Sequence, residues 1–185
     1  MNKIQIRRTV LTAVFTALIA AGAYAAVPIG PVPIVLTTMF VLLSGLLGGF
    51  RIGLYSSAAY LLLGVLGLPV FAGGAGGFAV LLGPTGGYLF GYLPAASAAG
   101  LIYRPAEGSA LPLRILQAAT AVLVGSILIY LPGVPWLKIS LGMEWSRAIQ
   151  AGMIPFIPGD LLKAVAAATL AVSLKDRFQD FLKDE

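Results

Sequence analysis

The sequence has no cysteine and no histidine among its 185 residues. Without cysteine there can be no disulfide, no thiolate nucleophile and no sulfur ligand for a metal. Without histidine the commonest metal ligand and the usual proton shuttle near neutral pH are gone. Charge is scarce as well. Only 10% of the residues are Asp, Glu, Lys or Arg, 59% are hydrophobic, and the mean hydropathy is +0.96. That balance belongs to an integral membrane protein. The twelve basic residues outnumber seven acidic ones, which in a soluble chain would point to nucleic acid. Here they stand at the ends of apolar runs, where membrane topology and anionic lipid account for them. A phosphate-gripping Walker A loop is missing too: GPTGGY at 83–88 lacks the glycine-lysine-serine/threonine ending, so the chain is not expected to hydrolyse ATP. No metal site and no cofactor are expected.

What is present is a series of apolar spans, at about 9–27, 34–49, 52–68, 85–103, 115–131 and 160–174, within one membrane domain covering 1–185. At 1.5 Å per residue, sixteen to twenty residues cover roughly 24 to 30 Å, enough for a bilayer core. The expected fold is therefore an all-α, polytopic membrane protein of six transmembrane helices. The first span, preceded by Lys3, Arg7 and Arg8 and ending in Ala23, Tyr24 and Ala25, imitates a secretory signal. Its place in a series of six argues that it is kept. Ala13, Ala17, Ala21 and Ala25 recur every four residues along it, a ridge of small side chains on one helix face that lets another helix come close, from this protein or from a partner.

Charge orients the bundle. Lys3, Arg7, Arg8, Arg51, Arg104, Arg114, Lys175, Arg177 and Lys183 fall on one side, against Lys138 and Arg147 on the other. The positive-inside rule then puts both termini in the cytoplasm and the proline- and glycine-rich connections at 28–33, 69–84 and 132–159 outside. Trp136, Leu137, Leu141, Trp145 and Ile149 recur at helical intervals in 134–157, a segment too polar to span, which reads as an interfacial helix or lid or as a plain surface anchor.

Two stretches offer chemistry. In 69–92 the helix pattern is broken by Gly73, Gly74, Gly76, Gly77, Gly83, Pro84, Gly86 and Gly87. Irregular backbone at membrane depth is tolerated only where protein buries it or where it lines a cavity, so this stretch reads either as a cavity wall or as a surface loop leading into a packing helix. At the mouth of the last span Asp160 and Lys163 share one helical face. Ionisable groups entering a membrane segment are costly and tend to face a cavity. An N-capping aspartate and a lysine reaching for the headgroups would be the structural alternative. As a site, one carboxylate and one ammonium suit a polar ring bearing both N–H and C=O groups.

Three patches, PVPIVLTTMFVLLSG (31–45), GLPVFAGGAGGFAVLLGPTGGYLFGY (67–92) and IPFIPGDLLKA (154–164), together resemble the BioY family, the biotin-specific substrate-binding components of energy-coupling factor transporters. The resemblance implies a six-helix protein of a prokaryotic cytoplasmic membrane. It would bind biotin from outside, in a cavity toward the extracytoplasmic face, and work with a transmembrane coupling subunit and two ATPases rather than as an enzyme. By position, Asp160 and Lys163 resemble the residues that hold the ureido head. Gly73, Gly74, Gly76, Gly77, Gly86 and Gly87 match the family's glycine pattern, with Thr85 beside them and Phe71 and Tyr88 as candidate walls. Ala13 and Ala17 are similar to the small-residue contact for the coupling subunit. One departure is that many relatives carry glutamine near Thr37, so the resemblance transfers no polar contact from the second helix. The competing class is a stand-alone secondary transporter or facilitator, but such carriers place ionisable residues near the midplane, and the first five spans have none there.

Overall fold

Gly49 turns one long apolar run into two helical arms. Its φ of 75° and ψ of −177° lie in a region open in practice to glycine alone, and they break α2 (Thr37–Val65) near its middle. The arms run back along each other. A methyl built on Gly53 would stand 2.9 Å from the Cα of Gly45, whereas eight residues of unbroken helix span about 12 Å. The computed structural model describes residues 3–28, 30–106 and 108–182; Lys183 of the charge pattern lies outside them.

Around this hairpin stand α1 (Lys3–Tyr24), the short α3 (Ala79–Leu82), α4 (Gly86–Ile102), α5 (Leu111–Leu141), α6 (Trp145–Gly152) and α7 (Ile157–Leu182). α1, α2, α5 and the stretch Trp145–Leu182 are long and apolar enough to cross a membrane. With α2 folded double, and α4 adding 17 residues or about 26 Å, the bundle has six membrane passes. It is an all-α polytopic membrane protein apart from one small hairpin, β1 (Ala26–Val27) against β2 (Ile34–Val35).

Small residues bring the helices into backbone contact. A methyl on Gly45 would lie 2.1 Å from the carbonyl oxygen of Ala96 in α4, and one on Gly100 would lie 2.4 Å from the backbone of Gly49, so α4 is seated against the reversal itself. α1 is tied to the second arm of α2 by crossed hydroxyls, Thr16 Oγ1 donating to the Ser56 carbonyl at 3.2 Å and Ser56 Oγ to the Thr12 carbonyl at 3.2 Å. In lipid such polar contacts between helices replace the hydrophobic force that water would supply.

The bundle differs from the sequence reading in four places, the first being α1, which covers Lys3–Tyr24 where a span at about 9–27 was expected. The second span was expected from residue 34, but the β-branched Ile34 and Val35 pair with β1, and α2 starts at Thr37. The fifth was expected to stop at 131. Instead α5 runs through Pro132 and Pro135 to Leu141, taking Trp136 and Leu137 out of the expected interfacial segment and leaving only α6 as a separate helix there. Proline inside a helix frees the carbonyl four residues back. Here the Leu128 carbonyl faces the bare Cα of Gly91, which a side chain would foul at 2.9 Å. Trp136 is turned toward the 66–85 connection, its indole Nε1 donating to the Gly83 carbonyl at 2.9 Å. Finally, the last helix is longer at both ends than 160–174. It reaches Leu182 because its polar end packs on α1, with Phe178 5.9 Å from Phe15 and Arg7 5.4 Å over the Phe181 ring.

The Gly49 reversal, the 103–110 connection, the start of α1 and the end of α7 therefore share one end of the bundle. The β-hairpin, the 66–85 connection and the segment between α5 and α7 share the other.

Candidate functional site

At the second end, the first turns of α7 point a charged pair inward. Asp160 and Lys163 are 2.6 Å apart, with side chains 22% and 10% exposed. The aspartate does not cap the helix. Its second oxygen accepts a hydrogen bond from the Tyr130 hydroxyl of α5. Nor does the lysine reach for solvent: its ammonium donates to the Val35 carbonyl at 3.0 Å and to Thr38 Oγ1 at 3.1 Å. A strand end, α2, α5 and α7 thus converge on two side chains. Three donors of Lys163 are all engaged, which fixes its position, while each Asp160 oxygen keeps a lone pair free for a further donor.

This pair borders a cavity of about 60 Å³ whose walls include Met39, Tyr88, Tyr92, Tyr130 and Phe156. A second cavity of about 170 Å³ adjoins it, sharing Val32, Pro33, Val35, Tyr88 and Tyr92 and extending to Thr37, Tyr60, Phe71 and Thr85. Tyr88 stands between them, its hydroxyl donating to the Gly152 carbonyl at 2.7 Å and its ring edge-on to Tyr130 at 6.1 Å. Phe71 is fully buried, edge-on to Tyr60 at 5.5 Å, and fits only because Gly64 has no side chain there.

Of the residues read from sequence, the fold brings Asp160, Lys163, Tyr88, Phe71 and Thr85 to these cavities. The six glycines do not line either one; Ala72 and Ala75 do so from their loop. Gly73, Gly74 and Gly77 have positive φ (69°, 77° and 95°) and shape the loop. Gly76 passes against the Leu68 carbonyl, and Gly86 and Gly87 let α4 touch Trp136 and the Pro132 carbonyl of α5. The loop is further pinned by Gly77 N–H donating to the Gly64 carbonyl at 2.7 Å and Phe71 N–H to the Ala75 carbonyl at 2.9 Å. Phe71 anchors this loop in the core, while Gly73, Ala75, Gly76 and Phe78 are exposed at the end of the bundle. Tyr130, Thr38, Tyr92 and Tyr60 were not singled out from sequence. Tyr130 and Thr38 meet the pair from 30 and 125 residues away, and nothing local to them signals it.

Ala13 and Ala17 lie at the far side of α1 from the core, exposed together with Ala21, Val10 and Val14. The ridge is not used for packing inside the bundle.

The BioY family model matches residues 1–180. The chain belongs to the BioY family. Its relatives include a biotin transporter BioY of Thermotoga maritima, 43% identical over 169 residues that make up 91% of this chain and 96% of the relative. A probable biotin transporter BioY of Pyrococcus horikoshii is 42% identical over 165 residues, covering 89% of this chain and 94% of the relative. A crystal structure of the S-component for biotin from an ECF-type ABC transporter superposes with a TM-score of 0.87 at 28% identity, covering 99% of both chains. The likeness to that structure thus extends over the whole chain.

Proposed function

We propose that this chain is the biotin-binding S component of an energy-coupling factor uptake transporter, and that the Asp160–Lys163 pair holds the ureido head of biotin. The single observation that supports this most is the inward-turned pair itself, fixed by Tyr130, Thr38 and the Val35 carbonyl beside a cavity. A ureido group presents two N–H donors flanking one C=O. A free lone pair of Asp160 accepts one of the N–H groups, and the C=O takes the Lys163 proton now directed at Thr38. Hydrogen bonds to charged groups are worth about 1.5 to 3 kcal/mol each. Tyr88, Tyr92, Met39 and Phe156 give the fused rings apolar and aromatic walls.

In this reading the cavities open outward, and the end carrying Arg7, Arg51, Arg104 and Arg114 faces the cytoplasm of a prokaryotic cell. The exposed ridge of Ala13 and Ala17 takes a helix of the coupling subunit, and the partner ATPases supply the energy. Radiolabelled biotin added to the purified protein should bind saturably and resist displacement by thiamine and riboflavin; absence of saturable binding would sink the proposal. Ala13→Trp should block ATP-driven uptake by the assembled transporter and leave biotin binding and melting temperature as they were. Loss of binding and stability together would return the ridge to internal packing.

A further inference from the structure

We infer that Ser126 of α5 is a further ligand contact, the acceptor for the ureido N–H that Asp160 leaves unpaired, and so a residue on which recognition of the bicyclic head depends. The inference rests on the biotin reading and goes beyond the Asp160–Lys163 pair. The two N–H groups of a ureido ring flank its C=O and point apart, so a carboxylate that takes one is badly placed for the other. With the C=O on Lys163 and one N–H on Asp160, the ring presents that edge to α7. Its second N–H is turned away and needs an acceptor from another helix. A buried donor left without one carries the full cost of its lost hydration.

Ser126 lines the cavity beside the pair and not the second one. On α5 it stands one turn, about 6 Å, deeper than Tyr130 and on the same face, as Ala164 stands one turn deeper than Asp160 on α7. Leu42, Ala164 and Ser126 thus floor the cavity, and of the three only the serine has a polar side chain. A serine inside a helix commonly turns its hydroxyl back on a carbonyl three or four residues earlier. Ser44, Ser56, Ser97 and Ser140 do so, donating to Val41, Ile52, Leu93 and Leu137. Ser126 does not: among the described residues its Oγ has no hydrogen-bond partner, and it is not sealed in by its neighbours. Its lone pairs are open to whatever fills the cavity. The other hydroxyls there are engaged or shared. Tyr130 donates to Asp160, Tyr88 to the Gly152 carbonyl, and Thr38 accepts from Lys163. Tyr92 borders both cavities, with its ring 6.3 Å from that of Tyr60 on the side of the second.

Calorimetric titration of biotin and of its two lactam analogues, in each of which a methylene replaces one ureido N–H, tests this on wild type, Ser126→Ala, Ser126→Cys, Asp160→Asn and Tyr92→Phe. Ser126→Ala should weaken biotin about fivefold, and should weaken by the same factor the lactam that keeps the N–H facing Ser126. The other lactam has lost that N–H and should bind the variant within about twofold of wild type. Asp160→Asn should discriminate between the same two lactams in the opposite sense. Thiol sulfur is a weak acceptor, so Ser126→Cys should follow Ser126→Ala in direction, and either variant suffices once a melting temperature shows that it is folded. Equal weakening of all three ligands, or undiminished biotin affinity in the Ser126 variants, overturns the contact. So does the one-lactam pattern arising in Tyr92→Phe in place of the Ser126 variants, or discrimination by Asp160→Asn in the same sense as Ser126→Ala. Failure of the wild type to bind biotin overturns the reading beneath it.

Discussion

Two lysines of α7 face inward, one at each end of the bundle, and they are held in different ways. Lys163 meets a carboxylate, a carbonyl and a hydroxyl, and borders a cavity. Lys175, 5% exposed, donates to the Leu46 and Leu47 carbonyls at 2.6 and 3.2 Å, with its ammonium 5.4 Å over the Tyr103 ring. Among the described residues it has no carboxylate within ion-pair distance. The carbonyls it takes belong to the last turn of α2's first arm, where the Gly49 reversal removes the N–H groups that would have bonded them. A cation there also meets the negative end of that arm's dipole. Burial of a charge in a membrane protein thus has two sources: one lysine closes a broken helix, and the other, paired with an aspartate that has acceptor capacity to spare, borders empty space.

The comparison can be broken by exchanging readouts. Lys163→Met should weaken biotin about 100-fold, or about 3 kcal/mol, and should also lower the melting temperature, because it strands the Asp160 carboxylate and unpairs the Val35 carbonyl. Gly49→Ala should lower stability by about 2 to 3 kcal/mol, because alanine is strained at a φ of 75° and ψ of −177°. Lys175→Met should cost about 1 to 2 kcal/mol of stability as two buried carbonyls lose their donor, and the folded fraction should bind biotin within about twofold of wild type. If Lys175→Met abolished binding while Lys163→Met only lowered the melting temperature, the roles of the two ends would be reversed. The smallest effect belongs to the pair that looks strongest on paper. Arg114 and Asp176 form a two-pronged ion pair at 2.8 and 2.9 Å, but the aspartate side chain is 65% exposed, so Arg114→Gln should cost under about 1 kcal/mol in a thermal melt.

The same contrast explains what could be read from the sequence. Hydrophobic run lengths give the six passes, and helical spacing puts Asp160 and Lys163 on one face. Those are local patterns with local causes. Pro132 misled because the cost of proline in a helix depends on what surrounds the freed carbonyl, here the bare Gly91 of another helix. The glycines of 73–87 mark unusual backbone correctly but not its purpose: at 73, 74 and 77 the purpose is a positive φ, at 86 and 87 a helix crossing. Lys175 reads as part of a polar tail, since its partners are main-chain oxygens created by a helix break over 120 residues earlier. Tyr130 and Thr38 are likewise products of tertiary packing.

The central claim is that Asp160 and Lys163 act on the ligand as one unit, and a double-mutant cycle tests it most directly. Biotin would be titrated by calorimetry into wild type, Asp160→Asn, Lys163→Met and the double variant. Each single change strands a partly desolvated partner and should cost about tenfold or more in affinity. The double change removes the stranded group as well, so its loss should fall short of the two single losses summed. Four proteins that bind biotin alike and differ only in melting temperature would contradict the account.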